Sequence, residues 1–171
     1  MRRVAVLLAV LAPLGLLTAC SPAVTAVSAI GYDSRGRLVG ALKVCRGHFS
    51  EVHLAPSTPD GDAPDIGSWH RGRPLRGTES WPLRDPGAGP WTLAGPVLPE
   101  LAPGTAYVFW TNTKNWDSRS DYLFFHGSDL AALRPGQVLV RREDPTQSPD
   151  EGTARLEVIP LSKLADERCG Y

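Results

Sequence analysis

The sequence has a single methionine, three cysteines and few lysines beside its arginines. Neither sign of charge prevails, since 18 basic residues face 18 acidic ones. A chain without a basic surplus lacks the electrostatic footprint of a nucleic-acid partner. Nucleophile signatures are missing as well: there is no Gly-x-Ser-x-Gly elbow and no Ser-x-x-Lys. His48, His53, His70 and His126 have no close spacing such as His-x-x-x-His. The run from Asp60 to Asp65 opens like a calcium loop but lacks the required Gly and terminal Glu. Neither a metal site nor a cofactor is expected. The apolar run at residues 4–16, broken by Pro13 and Gly15, is shorter than the roughly 20 residues of a spanning helix, which disfavours a permanent transmembrane anchor.

What is present begins at the N-terminus. Arg2 and Arg3 make a positive region, the apolar run comes next, and small residues precede Cys20 in Leu17-Thr18-Ala19-Cys20. This is the layout of a secretory signal, and the last four residues resemble a bacterial lipobox. That resemblance implies that the Cys20 thiol is acylated with diacylglycerol, that the leader is cut in front of it, and that the new N-terminus carries the lipid. Plain secretion is the competing reading, but it leaves the cysteine and Leu17 without a role. Each buried methylene contributes about 0.8 kcal/mol, so two acyl chains hold durably where one does not. The expected location is the outer face of the cell membrane, with the membrane engaged through the lipid.

Residues 1–19 are then the leader, 20–25 a lipidated tether and 26–171 one domain, long enough for its own core. Loss of Arg2 and Arg3 leaves 16 basic against 18 acidic residues. Cys45 and Cys169 remain, and in an oxidising compartment one disulfide between them is expected; the alternative is two buried free thiols. Such a bridge would close a loop of more than 100 residues, worth roughly 4–5 kcal/mol in the chain-entropy model.

Along the chain, short alternating runs are separated by turn residues about every ten positions. Residues 26–32 and 37–45 read as a hairpin around the turn 33–36, and 49–54 as a third strand. In the second strand neither face is strongly polar, so it is expected to be central. Residues 66–70 and 79–84 are strand candidates flanking a basic loop at 71–76. Residues 91–98, 107–113, 121–126, 137–142 and 153–159 are further extended segments. A helical turn is expected at 128–133, and a short helix after Pro160 that delivers Cys169 to Cys45. About nine or ten short strands predict an all-β sandwich with one or two helical turns.

Leu101-Ala102-Pro103-Gly104-Thr105-Ala106-Tyr107 resembles the Leu-x-Pro-Gly-Thr-x-Tyr stretch of fibronectin type III domains. The resemblance implies an immunoglobulin or fibronectin III-like sandwich in which Tyr107 makes a corner by hydrogen-bonding back to preceding backbone. The lipobox, the Val44-Cys45-Arg46-Gly47-His48 strand exit, Gly67-Ser68-Trp69, Trp81-Pro82-Leu83, the Leu101 corner and Leu133-Arg134-Pro135-Gly136-Gln137-Val138 together resemble a group of small actinobacterial lipoproteins. That likeness implies location and no mechanism.

Aromatics are the remaining clue. Trp69, Trp91 and Trp116 lie beside polar or Gly/Pro-rich segments, where exposed rings stack on sugars or anchor a protein. Trp110 is expected to fill the core, and Trp116 is open between exposure and burial. The candidate binding residues are Trp116, Asn115, Asp117, Trp69, Arg71 and Arg73, with an envelope protein or glycan as partner. The competing functions are a hydrolase acting on envelope material, with His48, His53 or His126 as base, and a purely structural or assembly role. A Cys45 and His48 thiolate pair is set aside in favour of the disulfide.

Overall fold

A computed structural model describes residues 23–85, 89–115, 117–142 and 155–169. The expected lipidation site Cys20 and the candidate Trp116 lie outside the described residues. Among these residues eleven strands run in chain order: β1 (Ala23–Tyr32), β2 (Leu38–Val44), β3 (Phe49–Pro56), β4 (Gly67–Leu75), β5 (Thr78–Pro82), β6 (Trp91–Ala94), β7 (Ala106–Trp110), β8 (Ser118–Ser120), β9 (Leu123–His126), β10 (Gln137–Arg142) and β11 (Arg155–Pro160). A short helix α1 (Gly127–Ala131) and a 3-10 helix (Leu161–Asp166) complete the elements.

The strands form two facing sheets. One has the order β11-β10-β1-β2-β5, with β8 running parallel to the start of β1, and the other β6-β4-β3-β7-β9. The neighbours β1-β2-β5 and β3-β7-β9 correspond to strands A-B-E and C-F-G of an immunoglobulin-like sandwich. Between the sheets lies the main core of Ile30, Leu42, Val52, Leu54, Trp69, Trp81, Phe109, Leu123 and Phe125. β2 is central, flanked by β1 and β5 and covered on both faces. Gly40 sits where Leu83, Trp81 and Phe109 crowd the backbone, so no side chain fits there without displacement.

The corner forms as the motif implies. Tyr107 is buried, and its hydroxyl oxygen accepts a hydrogen bond from the Ala102 amide at 2.9 Å. Pro103-Gly104 makes the turn, and Tyr107 then enters β7 with Phe109 and Thr111 on the same inward face.

A second, smaller apolar cluster lies on the opposite face of the first sheet, formed by Val27, Ala29, Ala41, Val138, Val140 and Ile159. The 3-10 helix covers it with Leu161 and the fully buried Leu164. Lys43 Nζ donates to the carbonyls of Ala165 (2.6 Å) and Glu167, and Arg142 pairs with Glu167. The sulfurs of Cys45 and Cys169 lie at disulfide distance, with Cα atoms 6.1 Å apart across 124 residues of sequence. The C-terminal segment is thus a clasp over a sheet face that would otherwise expose apolar residues.

Three expectations are corrected. Residues 71–75 belong to β4 and not to a loop: β6 pairs only as far as Arg71, so Gly72, Arg73 and Pro74 occupy a stretch of edge where proline removes no ladder bond on that side. Residues 121–126 do not form one strand, because Asp121 and Tyr122 separate β8 in one sheet from β9 in the other. Trp110 does not fill the core. It alternates with the inward Phe109 and is half-buried on the outer face of the second sheet.

Candidate aromatic binding face

The outer face of the sheet β6-β4-β3-β7-β9 has no layer packed over it among the described residues. Strand alternation places His53 of β3, Trp110 of β7 and Phe124 of β9 on this face, with Tyr122 just before β9. Register does the rest: His53 lies opposite Trp110, and Val108 opposite Phe124. The rings therefore form a continuous strip. His53 stacks on Trp110 with centroids 5.2 Å apart and 23° between planes. Trp110 meets Tyr122 at 6.1 Å, and Tyr122 meets Phe124 at 6.2 Å. Phe124, on the edge strand β9, remains 52% exposed.

A groove of about 340 Å³ runs beside this strip, floored by Val108, Trp110, Tyr122 and Phe124 and walled by residues 55–61 and Ala63. Ser57, Thr58 and Asp60 are polar residues of its wall. Around the strip, His53 Nδ1 lies 2.8 Å from Asp65, and the Arg119 guanidinium sits 4.6 Å above the Tyr122 ring. On the neighbouring strand Ser68 Oγ is 3.3 Å from His70 Nε2, while His70 Nδ1 is 3.3 Å from Glu51. Flat apolar rings bordered by hydrogen-bonding groups suit a ligand that is itself amphipathic, with C–H faces and hydroxyl edges.

The order Ser68, His70, Glu51 is that of nucleophile, base and orienting acid. Its surroundings are unlike a catalytic site. His70 and Glu51 are 48% and 44% exposed, so water is not excluded. β4 is paired on both sides at Ser68 and His70, leaving its amides committed to ladders and not aimed at a developing oxyanion.

A larger groove of about 470 Å³ lies at the end of the sandwich near the 33–37 turn and α1. Two of its cations are already engaged: Arg37 bonds Asp33 at 2.8 Å and Arg84 the Pro99 carbonyl at 3.3 Å. Among the described residues no group of three or more His, Cys, Asp or Glu is placed to hold a metal ion.

Of the residues singled out from sequence, Asn115, Asp117 and Arg73 are exposed at the same end of the sandwich, where β4 and β7 terminate and β8 begins. Trp69 corrects its expectation. At 1% exposure it is core, wedged edge-on against Phe109, because it alternates with the outward Ser68 and His70. Trp91 is also buried and stacks on Trp81 at 4.4 Å. Arg71 points inward too, where it pairs with Glu79 at 3.0 Å; the same carboxylate accepts from Trp91 Nε1 at 2.8 Å. It is a structural ion pair and not a ligand contact. His48 is exposed in the β2–β3 turn, and His126 lies beside Asp129 at the start of α1. Sequence reading missed Phe124, Tyr122 and the pairing of His53 with Trp110.

No protein-family model matches the chain, and comparison with curated proteins and with solved structures finds no match. The chemistry of this face therefore carries the functional reading.

Proposed function

We propose that this chain is a lipid-anchored, non-enzymatic binding module of the bacterial cell envelope, held at the outer face of the membrane through Cys20. Its ligand is a glycan of the envelope, bound on the outer face of the second sheet. The observation that supports this most is the uncovered strip His53, Trp110, Tyr122 and Phe124 beside a polar-rimmed groove. Rings of this kind stack on the C–H faces of sugars while Ser57, Thr58 and Asp60 meet hydroxyls.

The test is retention of the full chain on isolated bacterial peptidoglycan. Losing one stacked ring costs about 0.5–1.5 kcal/mol, so Trp110→Ala and Phe124→Ala each weaken retention by up to about tenfold. Equal retention of both variants and the parent would refute the site.

The Ser68, His70 and Glu51 array favours a second reading, hydrolysis of an envelope ester. Release of product from a chromogenic ester that stops with both Ser68→Ala and His70→Ala would establish it. Turnover that persists in Ser68→Ala would exclude that array.

A further inference from the structure

We infer that the free edge of β11 docks a second copy of this chain, paired two-fold about Val158 so that the first sheets of both copies become one. This surface is separate from the aromatic strip, and the inference does not rest on the glycan reading. Among the described residues β11 is the last strand of its sheet, paired along its whole length with β10 and with no strand beyond it. The second sheet stops short of it. Leu139 of β10 and Val158 of β11 stand opposite each other on one face, yet Leu139 is buried in the core while Val158 is 47% exposed. Leu156, two residues back on the same face, is exposed as well. After Pro160 the chain turns away from this edge, because the 3-10 helix covers the opposite face of the sheet and leads toward Lys43 and Cys45. The connection at 143–154 has no Val, Ile, Leu, Met or aromatic residue with which to cover Leu156 and Val158. Natural edges are blunted by lysines, bulges or an early proline. β11 has no lysine and no bulge, and its proline is the last residue.

The backbone sets the pairing. The Leu161 amide donates to the Gly136 carbonyl at 2.8 Å, and in an antiparallel ladder every second residue turns its amide and carbonyl to the same neighbour. Arg155, Glu157 and Ile159 are thus turned toward β10, and Leu156 and Val158 present N–H and C=O outward. Pro160 belongs to the outward set, where its missing N–H removes no bond to β10. Two such edges, laid antiparallel about Val158, complete each other. Val158 exchanges amide bonds with the partner's Val158, and Leu156 donates to the carbonyl of the partner's Pro160. Every outward amide then has an acceptor, and only the Leu156 carbonyls are left to water. The side chains agree, since Val158 meets the partner's Val158, Leu156 the partner's Pro160 and Glu157 the partner's Ile159. Centring the pair on Glu157 would instead set two carboxylates directly opposite, which is destabilising. A foreign strand would also satisfy these amides, but this edge already carries its own complement. The two-fold axis stands perpendicular to the joined sheet, so the aromatic strips of both copies face the same way to within the sheet twist.

One strand pair lies at the small end of specific interfaces, so the mass of the purified full chain is followed by light scattering from about 10 μM to about 1 mM. The parent should pass from monomer to dimer across this range. Val158→Lys, at an exposed position, should weaken dimerisation at least about tenfold with an unchanged melting temperature, because two like charges meet on the axis. Oxidation then reads the register. Residues opposite each other in a hydrogen-bonded pair have Cα atoms about 5.5 Å apart, within reach of a disulfide. Val158→Cys should therefore give a reducible dimer in excess of the parent, which carries the same Cys20. Glu157→Cys should not, because its counterpart is displaced by two residues, about 7 Å along the strand. Trp110→Ala should dimerise as the parent does, which keeps this test apart from that of the glycan site. A parent still monomeric at about 1 mM, a dimer unaffected by Val158→Lys, or equal crosslinking through positions 157 and 158 overturns the inference. So does a Val158→Cys chain bridged in intact cells to a different envelope protein, which would assign the edge to a foreign strand.

Discussion

Replacing Cys169 by Ser tests how the C-terminal clasp is held. The two cysteines are 124 residues apart, and closing a loop of that length removes unfolded-state entropy worth roughly 5 kcal/mol at 25 °C. For a domain of this size each kcal/mol moves the midpoint by about 2–4 °C. Cys169→Ser is therefore expected to melt about 10–20 °C below the oxidised parent, and reductant should lower the parent to the same point while leaving the variant unmoved. The native side adds a second readout. Leu164 is fully buried against Val27, Ala29, Val138 and Val140 only because the segment ending in Cys169 is held down. A side chain of that size contributes about 1.5–3 kcal/mol when buried, so the clasp without its bridge frays before the sandwich melts. Dye binding to newly exposed apolar surface should rise in Cys169→Ser at temperatures where the strand circular dichroism signal is intact.

The two contributions separate in Leu164→Ala with the bridge intact. That change is expected to cost about 2–5 kcal/mol without making the melt reductant-insensitive. A parent midpoint that moves by less than about 2 °C on reduction would refute the reasoning, since it would mean that the bond constrains neither the unfolded chain nor the clasp.

Other outcomes rest on single contacts. Tyr107→Phe removes the acceptor for the Ala102 amide and should destabilise the fold by about 1 kcal/mol in urea denaturation; no change would mean the corner is redundant. Gly40→Ala places a methyl 2.9 Å from both Leu83 and Phe109, and overpacking of this kind should cost about 1–3 kcal/mol by the same assay. Burial tends to raise the pKa of Asp33, but the Arg37 and Arg35 amides and the Arg37 guanidinium outweigh it and hold the carboxyl below its ordinary value. A carboxyl depressed in the folded state stabilises above its unfolded pKa, about 3.9, and loses that contribution as pH falls through the lower folded value. Below about pH 4 the parent should therefore lose stability more steeply than Asp33→Asn, and parallel acid-unfolding curves would contradict this.

How much was legible in the sequence depended on whether one segment alone carried the information. The β1–β2 hairpin, the Tyr107 corner and the pairing of Cys45 with Cys169 each rest on local spacing or on a count of two, and all three appear. Residues 71–75 differ from the expected loop because Arg, Gly and Pro together read as a turn. Whether proline breaks a ladder depends on where the neighbouring strand stops, and β6 stops at Arg71. Along β7 and the residues after it, alternation separates Tyr107, Phe109 and Thr111 from Val108, Trp110 and Asn112. A period of two gives two faces without saying which is covered, and residue size suggested the core for Trp110. A signal was available in the parity: Trp110 falls opposite Tyr107 and Phe109, just as Phe124 falls opposite Leu123 and Phe125.

The direction of the aromatic strip matters for what it holds. From His53 on β3 to Trp110 on β7 to Tyr122 at the head of β9, the rings step from strand to strand across the sheet. A ligand covering all of them lies crosswise to the strands. Within the strip His53 packs face to face with Trp110 and the Arg119 guanidinium lies over Tyr122, so an extended ligand meets ring edges along the strip and its widest free apolar surface at Phe124, beside the groove.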